Sequence, residues 1–570
     1  MKKLNYLALF AVTAFFLSSC GGLNKMQENT GDVSYQVTPD PLELHADEVD
    51  VKVDVKYPEK YFNKNAILTL TPVLKYEGGE TAYEPKKVQG EKVEANNQVI
   101  SQDGGSVSYT GTVPYSEDMM KSDLVIRVDA ELKGNTMTFD DYKIADGIVT
   151  TPKLVVVDPK PVMIGDKYER ITPDSYKADI HYIINRSNVR DAEVTKEDME
   201  GLSEYLKKAE QDERINLKGM KLHAYASPDG PYDFNDKLAE DRQESAKRYF
   251  DREAQRAELE SSAKEGFLAM NYTAEDWEGF KEELEKSDVP DKELILRVLS
   301  MYSDPEVREQ EIKNLAAAFE VLAEDVLPEL RRSKFVVDAE NIGLSDAEIQ
   351  QVWSTDPDSL DLEEVLYAAT LYEDLGTKLA IYKKAHENFP KCFRAANNIG
   401  YVYVLMGEAE EAGEAFEGAK DIMDNDVVNN NLGVVALMQG NVEEAEELFQ
   451  ASMGAGDVVN YNLGIIKIMQ GDYGAAENYF GNTSSVNAAL AKLLQDDYDA
   501  ALTTINNTDK ESAEKYYVKA VIAARQDKDG LVFDSLEMAF DMDAEMKERA
   551  KKDIVFAEYF ENDSFKNLVE

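Results

Sequence analysis

The sequence is poor in the residues from which disulfides and metal centres are built. Of its 570 residues, two are cysteine and four are histidine. Cys20 ends a predicted targeting segment near the start, which leaves Cys392 as the one other cysteine. Cys392 therefore has no partner for a disulfide and is interpreted as a buried free thiol. His181 and His223 fall in strand patterns with no cysteine nearby, which predicts packed side chains rather than ligands. The sequence therefore predicts no metal site.

Catalytic and cofactor-binding motifs are also missing. The chain has no G-x-S-x-G, no H-E-x-x-H, no P-loop and no Rossmann fingerprint. Carboxylates are abundant, but clusters such as the one at residues 408–414 are typical of solvated helix faces. We therefore predict a protein that is not an enzyme and needs no cofactor.

Basic residues are few relative to acidic ones. The chain has 62 Lys and Arg against 111 Asp and Glu, a net charge of −49. Such a surface repels nucleic acid and anionic membrane surfaces. The sequence thus predicts no nucleic-acid partner.

Long apolar runs are scarce, and the one near the start predicts a targeting segment. Residues 7–17 follow Lys2 and Lys3 and are too few to span a bilayer. Residues 17–20, Leu-Ser-Ser-Cys, resemble a bacterial lipoprotein signal, and a simple secretory signal is the alternative. The resemblance implies a signal peptide at 1–19, acyl chains such as palmitate on Cys20, and an outer-membrane anchor.

Residues 20–31 are expected to form a polar tether. In Bacteroidota lipoproteins, an acidic run after the cysteine marks surface export. Residues 21–25 contain no such run, which favours a periplasm-facing anchor.

An alternating pattern covers residues 32–157. Apolar residues recur at every second position in three stretches, at 51–57, 107–115 and 124–132, between glycine-containing turns. This predicts an all-β sandwich that spaces the chain or contacts a partner. His45 is expected to be an incidental surface residue.

The pattern of residues 168–343 predicts a mixed α/β domain. Strands are predicted at 179–184, 218–224 and 333–339, and helices at 196–209 and 235–250. This order, with Gly230, Asn235, Leu238 and Arg242, resembles the OmpA-like peptidoglycan-associated domain. Arg331 and the arginine after it look like the basic pair that opens the last strand of that family. A helical insertion at about 254–328 is longer than is typical.

The resemblance implies a peptidoglycan site in which a loop carboxylate and a helix arginine hold a diamino acid. The residues so implied are Ser227, Asp229, Asn235 and Arg242. Ser227 stands where the family has the carboxylate, and Asp229 is a substitute two residues later. The alternative is a retained fold in which Arg242 pairs with Asp229 or Glu240.

From residue 344 to 570 the pattern is helical and repetitive. Asn-x-Gly motifs centre on Gly400, Gly433 and Gly464, each followed by alanine twelve and phenylalanine sixteen residues later. A period near 34 residues is typical of helix-turn-helix solenoids. The pattern resembles the tetratricopeptide repeat (TPR) family, which implies an α-solenoid with a C-terminal cap and repeats at about 393–425, 426–456, 457–483, 484–512 and 513–541.

In TPR folds the first helix of each repeat lines a groove. The groove positions implied by register are Arg394, Asn397, Asn398, Tyr401, Asn430, Asn431, Tyr461 and Asn462. Amides can satisfy the backbone of an extended peptide, and tyrosines add flat contact area. Asparagine can equally be a common residue at that repeat position.

The sequence as a whole predicts an outer-membrane, periplasm-facing lipoprotein that serves as a protein-protein interaction scaffold in envelope assembly or maintenance, with envelope proteins bound in the TPR groove. One alternative is a peptidoglycan tether. Another is a surface-exposed adhesin or pilus-associated protein.

Overall fold

The computed structural model describes residues 22–289, 292–314 and 320–570. The predicted signal peptide and Cys20, the predicted site of lipid attachment, lie outside the described residues. Residues up to Ile164 together with Lys378–Glu570 group into one compact unit, and Gly165–Thr377 form a second. Within the described ranges, no helix combines the length and apolarity needed to cross a membrane.

The first part of the chain is a β-sandwich. Its strands are β1 (Ser34–Thr38), β2 (Leu44–His45), β3 (Glu48–Tyr57), β4 (Ala66–Tyr76), β5 (Gly79–Ala82), β6 (Lys86–Gly90), β7 (Gln98–Ile100), β8 (Gly105–Pro114), β9 (Ser122–Leu132), β10 (Asn135–Thr138) and β11 (Tyr142–Asp146). One sheet has β1, β2 and β8 around β3, and the other runs β10-β9-β4-β6-β7 with β11 on β9 and β5 on β4. Alternate residues of both sheets, such as Val53 and Ile126, share one buried core, as the alternation predicts.

The expected polar tether is partly wrong. Residues 22–28 are helical, and Leu23 and Met26 are buried in the sandwich core. Their burial was not predicted because these two apolar residues are isolated among polar neighbours. Burial of both ties this segment to the β-domain.

The second unit contains a four-stranded sheet in the order β12-β15-β13-β14. Its strands are β12 (Ile171–His181), β13 (Ile215–Tyr225), β14 (Leu268–Thr273) and β15 (Arg332–Ile342). Only the β13–β14 pair is parallel. The helices before and between the later strands are α1 (Asp191–Val194), α2 (Glu197–Gln211), α3 (Tyr232–Arg256), α4 (Trp277–Lys286), α5 (Lys292–Met301) and α6 (Pro305–Lys313).

The predicted helices and strands of this region are present, with two corrections. Strand β12 ends at His181, and Ile183 and Ile184 are each 50% exposed beyond it. Strand β14 lies where a helical insertion was expected; it is an edge strand with mostly exposed residues, so it carries no alternating apolar signal.

Helices continue to the end of the chain. They are α7 (Asp346–Thr355), α8 (Leu362–Ala368), α9 (Leu375–Asn388), α10 (Phe393–Met406), α11 (Ala409–Ile422), α12 (Asp426–Met438), α13 (Val442–Gln450), α14 (Asp457–Met469), α15 (Tyr473–Phe480), α16 (Val486–Leu493), α17 (Tyr498–Asn506), α18 (Ala513–Arg525), α19 (Asp529–Met542), α20 (Met546–Ala550) and α21 (Asp563–Val569). The helix α7 begins with a capping box formed by Ser345 and Glu348.

Candidate functional site

The repeats are locked by a glycine and a phenylalanine within each helical pair. A Cβ atom placed on Gly400 would lie 2.6 Å from the Phe416 ring, and Gly433 and Gly464 have the same relation to the later phenylalanines. Only glycine leaves room for a ring on the facing helix at this distance. The two helices of each repeat therefore approach closely at the glycine. The phenylalanine packs against the glycine of its own repeat as well as toward the next repeat.

This packing places asparagines in register along the first helices. Asn398, Asn431 and Asn462 each lie two residues before the glycine and are almost completely buried. The ladder is continuous between repeats, because the Nδ2 atom of Asn431 donates to Asn397 Oδ1 at 2.9 Å and that of Asn462 donates to Asn430 Oδ1 at 3.1 Å. The asparagines therefore form one connected row.

The row is occupied by residues 155–164 of the same chain, named here the inserted segment. Four of its residues each bond one asparagine twice: the backbone N–H donates to Oδ1, and the backbone carbonyl accepts from Nδ2. The N···Oδ1 distances are 2.8 Å for Val156–Asn487, 2.7 Å for Lys160–Asn462, 2.7 Å for Val162–Asn431 and 2.9 Å for Ile164–Asn398. The Nδ2···O distances in the same order are 2.7, 3.1, 2.8 and 2.8 Å.

Two further amides strengthen the row. Asn397 Nδ2 donates to the Val162 carbonyl at 3.1 Å, and Asn430 Nδ2 donates to the Lys160 carbonyl at 3.3 Å. Residues 160, 162 and 164 meet successive repeats, which is the alternation of an extended chain. The segment runs opposite to the order of the repeats, from Asn487 to Asn398.

Side chains of the segment add contacts around Tyr461, and Met163 Sδ accepts from the Tyr382 hydroxyl at 3.5 Å. The Tyr461 hydroxyl donates to Asp158 Oδ1 at 2.7 Å, and Asn487 Nδ2 donates to the same oxygen at 3.3 Å. The Lys160 ammonium lies 5.0 Å from the centre of the Tyr461 ring and 2.6 Å from the Asp158 carboxylate. Burial, followed by the Asp158 charge, raises the pKa of Tyr461, so its hydroxyl remains a donor.

The inserted segment has proline where the row offers no acceptor. Pro159 and Pro161 alternate with the bonded residues, so their missing N–H groups leave no asparagine unpaired. Proline also removes donors from the free edge of the segment, which hinders pairing of another strand there.

Six of the eight predicted groove residues bond the inserted segment. They are Asn397, Asn398, Asn430, Asn431, Tyr461 and Asn462. Arg394 and Tyr401 are half-buried on the same helix as Asn398. That the groove binds a partner protein stays a prediction, since its amides contact the chain itself.

Two participants were missed by the sequence analysis. Asn487 belongs to a shortened repeat in which Ala489 replaces the marker glycine, although its position two residues earlier is the same. The inserted segment itself carries only two prolines on either side of Lys160, between valine residues, which is a weak signal without its distant partners.

The residues implied to bind peptidoglycan come together around the loop before α3. Ser227 donates to Asp229 at 2.5 Å, and Asn235 donates to the carbonyls of Ser227 and Gly230. Asp229 also forms an ion pair with Arg331 at 3.1 Å.

The expected pairing of Arg242 with Asp229 or Glu240 is wrong. Arg242 is fully buried and donates to the carbonyls of Arg186 at 3.0 Å and Tyr225 at 2.8 Å. Burial lowers its pKa to about 10. Its Nη2 atom has no hydrogen-bond partner among the described residues. The loop turns Asp229 toward Arg331, which leaves Arg242 to carbonyl dipoles.

Cys392, His181 and His223 are packed, and His45 lies at the surface. Cys392 is buried as a free thiol. His223 bonds Thr273 at 2.7 Å and stacks on Tyr225, and His181 Nε2 lies 3.3 Å from the Glu329 carboxylate. His45 is exposed but contacts the Tyr473 ring edge-on at 5.5 Å.

Comparison with known proteins identifies one repeat. The tetratricopeptide repeat family model matches residues 393–422, and no curated protein matches the chain. Among solved structures, the Cut9-Hcn1 assembly of the APC/C is 17% identical with a TM-score of 0.32, and the match covers 56% of this chain and 60% of that one. A tetratricopeptide repeat protein from Parabacteroides merdae is 14% identical with a TM-score of 0.29, over 39% and 89% of the two chains.

PilF from Pseudomonas aeruginosa is 16% identical with a TM-score of 0.27, and the match covers 39% of this chain and 97% of that one. The chain thus combines a strand-rich N-terminal region with a helical C-terminal region that contains a tetratricopeptide repeat at 393–422.

Proposed function

We propose that this protein is a lipid-anchored, periplasm-facing lipoprotein of the outer membrane that serves as a non-catalytic protein-interaction scaffold in envelope assembly or maintenance. The observation that carries the proposal is the row of asparagines, each of which bonds both backbone groups of one residue in an extended segment. A site of this kind recognises a polypeptide.

The chemistry of the row favours an internal segment of a partner over a chain end. Amides are neutral and pair with a backbone N–H and C=O without requiring a charge. The groove positions lack the repeated Lys and Arg that would hold a terminal carboxylate. A partner is therefore expected to contribute a stretch from within its chain.

Site-specific crosslinking in cells tests the partner. A photoreactive residue at Tyr401, a half-buried groove position on α10, should give adducts with another protein, whereas the same residue at Val99, 53% exposed on the β-domain, serves as control. Adducts at Tyr401 but not at Val99 support the proposal. If Tyr401 gives only the unmodified chain, the scaffold role fails.

Metabolic labelling with palmitate tests the anchor. Label should enter the wild type and be lost in Cys20→Ser, because the thiol is the acylated atom. Protease treatment of intact cells then tests orientation. Protection supports the periplasmic side, and cleavage supports surface display as an adhesin or pilus-associated protein.

A second candidate is a peptidoglycan tether through the α/β domain. The unpartnered Nη2 atom of buried Arg242, close to the loop of Asp229, is the observation that favours it. A pull-down on purified sacculi tests it with Asp229→Asn, since this side chain is partly accessible and its loss leaves the Arg242 packing in place. Binding by wild type that the variant loses supports the tether, and no binding by wild type ends it.

A further inference from the structure

We propose that the inserted segment is a built-in competing ligand of the asparagine row, and that a partner binds by replacing it with an extended segment of the same backbone pattern. The inference rests on the proposed scaffold function and specifies its site and the class of its ligand.

Recognition in the row is directed at the backbone. Ten hydrogen bonds join asparagine side chains to backbone groups at four residues of the segment. Backbone groups are common to all non-proline residues. The same amides would therefore accept another extended segment that supplies N–H groups at those four positions.

The segment is only partly covered by the groove. Val157 and Met163 are 46% and 40% exposed, and of residues 155–164 only Pro159 is buried. By contrast, Phe449 and Ala445 beneath the row are fully buried. Because the helices bury these two residues among themselves, release of the segment leaves the core between the helices in place. The segment is therefore expected to have a lower local stability than that core.

The row also specifies which segments fit. Proline is excluded at the four bonded positions because each asparagine Oδ1 requires an N–H donor there. It is tolerated between them, as at Pro159 and Pro161. Tyr461 and Asn487 add a preference for a carboxylate at the position of Asp158, and the Tyr461 ring favours a cation at that of Lys160. The expected ligand is an extended peptide with an acidic residue two positions before a basic one.

The groove offers space beside the segment as well. A cavity of about 540 Å³ adjoins Asp158 and is lined by Tyr461, Ser485, Lys510 and Glu514 among others. An incoming peptide can contact this cavity before displacing the segment. Because the segment is tethered, its effective concentration is on the order of millimolar, so the unmodified chain is expected to bind such a peptide weakly.

Peptide binding to the full chain in detergent tests the proposal. The probe is a fluorescent synthetic peptide with the sequence of residues 153–166. The double variant Lys160→Pro/Val162→Pro removes two bonded N–H groups from the resident segment. The matched control, Val157→Pro/Met163→Pro, places two prolines at positions that the asparagines do not bond.

The first variant is expected to bind the probe at least about tenfold more tightly than the wild type or the control, and additional Asn431→Ala should abolish the gain. If the first variant stays folded by circular dichroism but binds no better than the control, the segment is a permanent part of the fold. Unfolding of the repeats in this variant, with the control intact, overturns the proposal equally, because a segment required for folding is not exchangeable.

These failures are distinguishable from failure of the scaffold role. A partner that is crosslinked beside the row without peptide exchange binds there while the inserted segment stays in place, which supports the scaffold and overturns the exchange. Peptide exchange without a crosslinked partner shows that the groove can bind a peptide, but it overturns the proposed scaffold role in cells.

Discussion

Replacing Asn431 with alanine measures what one amide contributes to holding the inserted segment. Its Oδ1 atom accepts from the Val162 N–H at 2.7 Å and from Asn430 at 3.1 Å. Its Nδ2 atom donates to the Val162 carbonyl at 2.8 Å and to Asn397 at 2.9 Å. The side chain is fully buried, so its partners lose bonds that water reaches poorly.

The expected cost follows from these four bonds. A hydrogen bond contributes a net of about 0.5–1.5 kcal/mol, and a buried group left unpaired costs about 1–3 kcal/mol. The Val162 carbonyl keeps its bond from Asn397, which reduces the loss. We expect local opening of the segment to become easier by about 2–4 kcal/mol, equivalent to roughly 30- to 800-fold faster amide exchange.

Hydrogen–deuterium exchange of the peptides that cover residues 155–164 is the assay. Asn429→Ala is the matched control, because this residue precedes the bonded pair on the same helix and donates to the exposed Asp424 at 2.8 Å. The control should change exchange by less than about threefold. Equal exchange in the two variants would refute a net stabilising role for the amide bonds.

Three other predictions concern the glycine packing, the helix cap and the side-chain contact of Tyr461. Gly433→Ala should lower the stability of the repeats by about 1–3 kcal/mol through overpacking against the Phe449 ring. The control Gly418→Ala, where a Cβ meets open space, should raise the stability by up to about 1 kcal/mol. Equal melting temperatures of the two variants would contradict the packing argument. Hydrogen bonds to the start of α7 and to an arginine lower the pKa of Glu348 to about 2. The stabilising effect of the Glu348 carboxylate is thus present above the pKa of free Glu and lost as the pH falls toward 2. The difference in melting temperature between wild type and Glu348→Gln should therefore shrink over that range. A pH-independent difference would show that the charge of Glu348 contributes nothing. Tyr461→Phe removes the bond to Asp158 but keeps the ring, and should speed exchange of the inserted segment about fivefold; no change would show that this bond contributes nothing.

The α/β region shows which elements can be predicted from local sequence pattern and which cannot. Helices α2 and α3 and strands β13 and β15 were predicted because their apolar residues recur with one period. Strand β14 was missed because it lies at a sheet edge and only backbone pairing with β13 defines it. The partners of Arg242 were predicted wrongly, since the direction in which a loop turns Asp229 is set by the distant Arg331.

For the candidate site, the sequence by itself determined the repeats, because each glycine and the phenylalanine sixteen residues later pack within one helical pair. It also determined that amides suited to an extended backbone stand in register on successive first helices. Only the tertiary structure decided what lies against them. The inserted segment is separated from its asparagines by 234 to 331 residues, and it is held mainly through N–H and C=O groups that every extended segment possesses. Contacts of this kind leave almost no trace in side-chain identity, so the occupant of the row emerges only once the chain is folded.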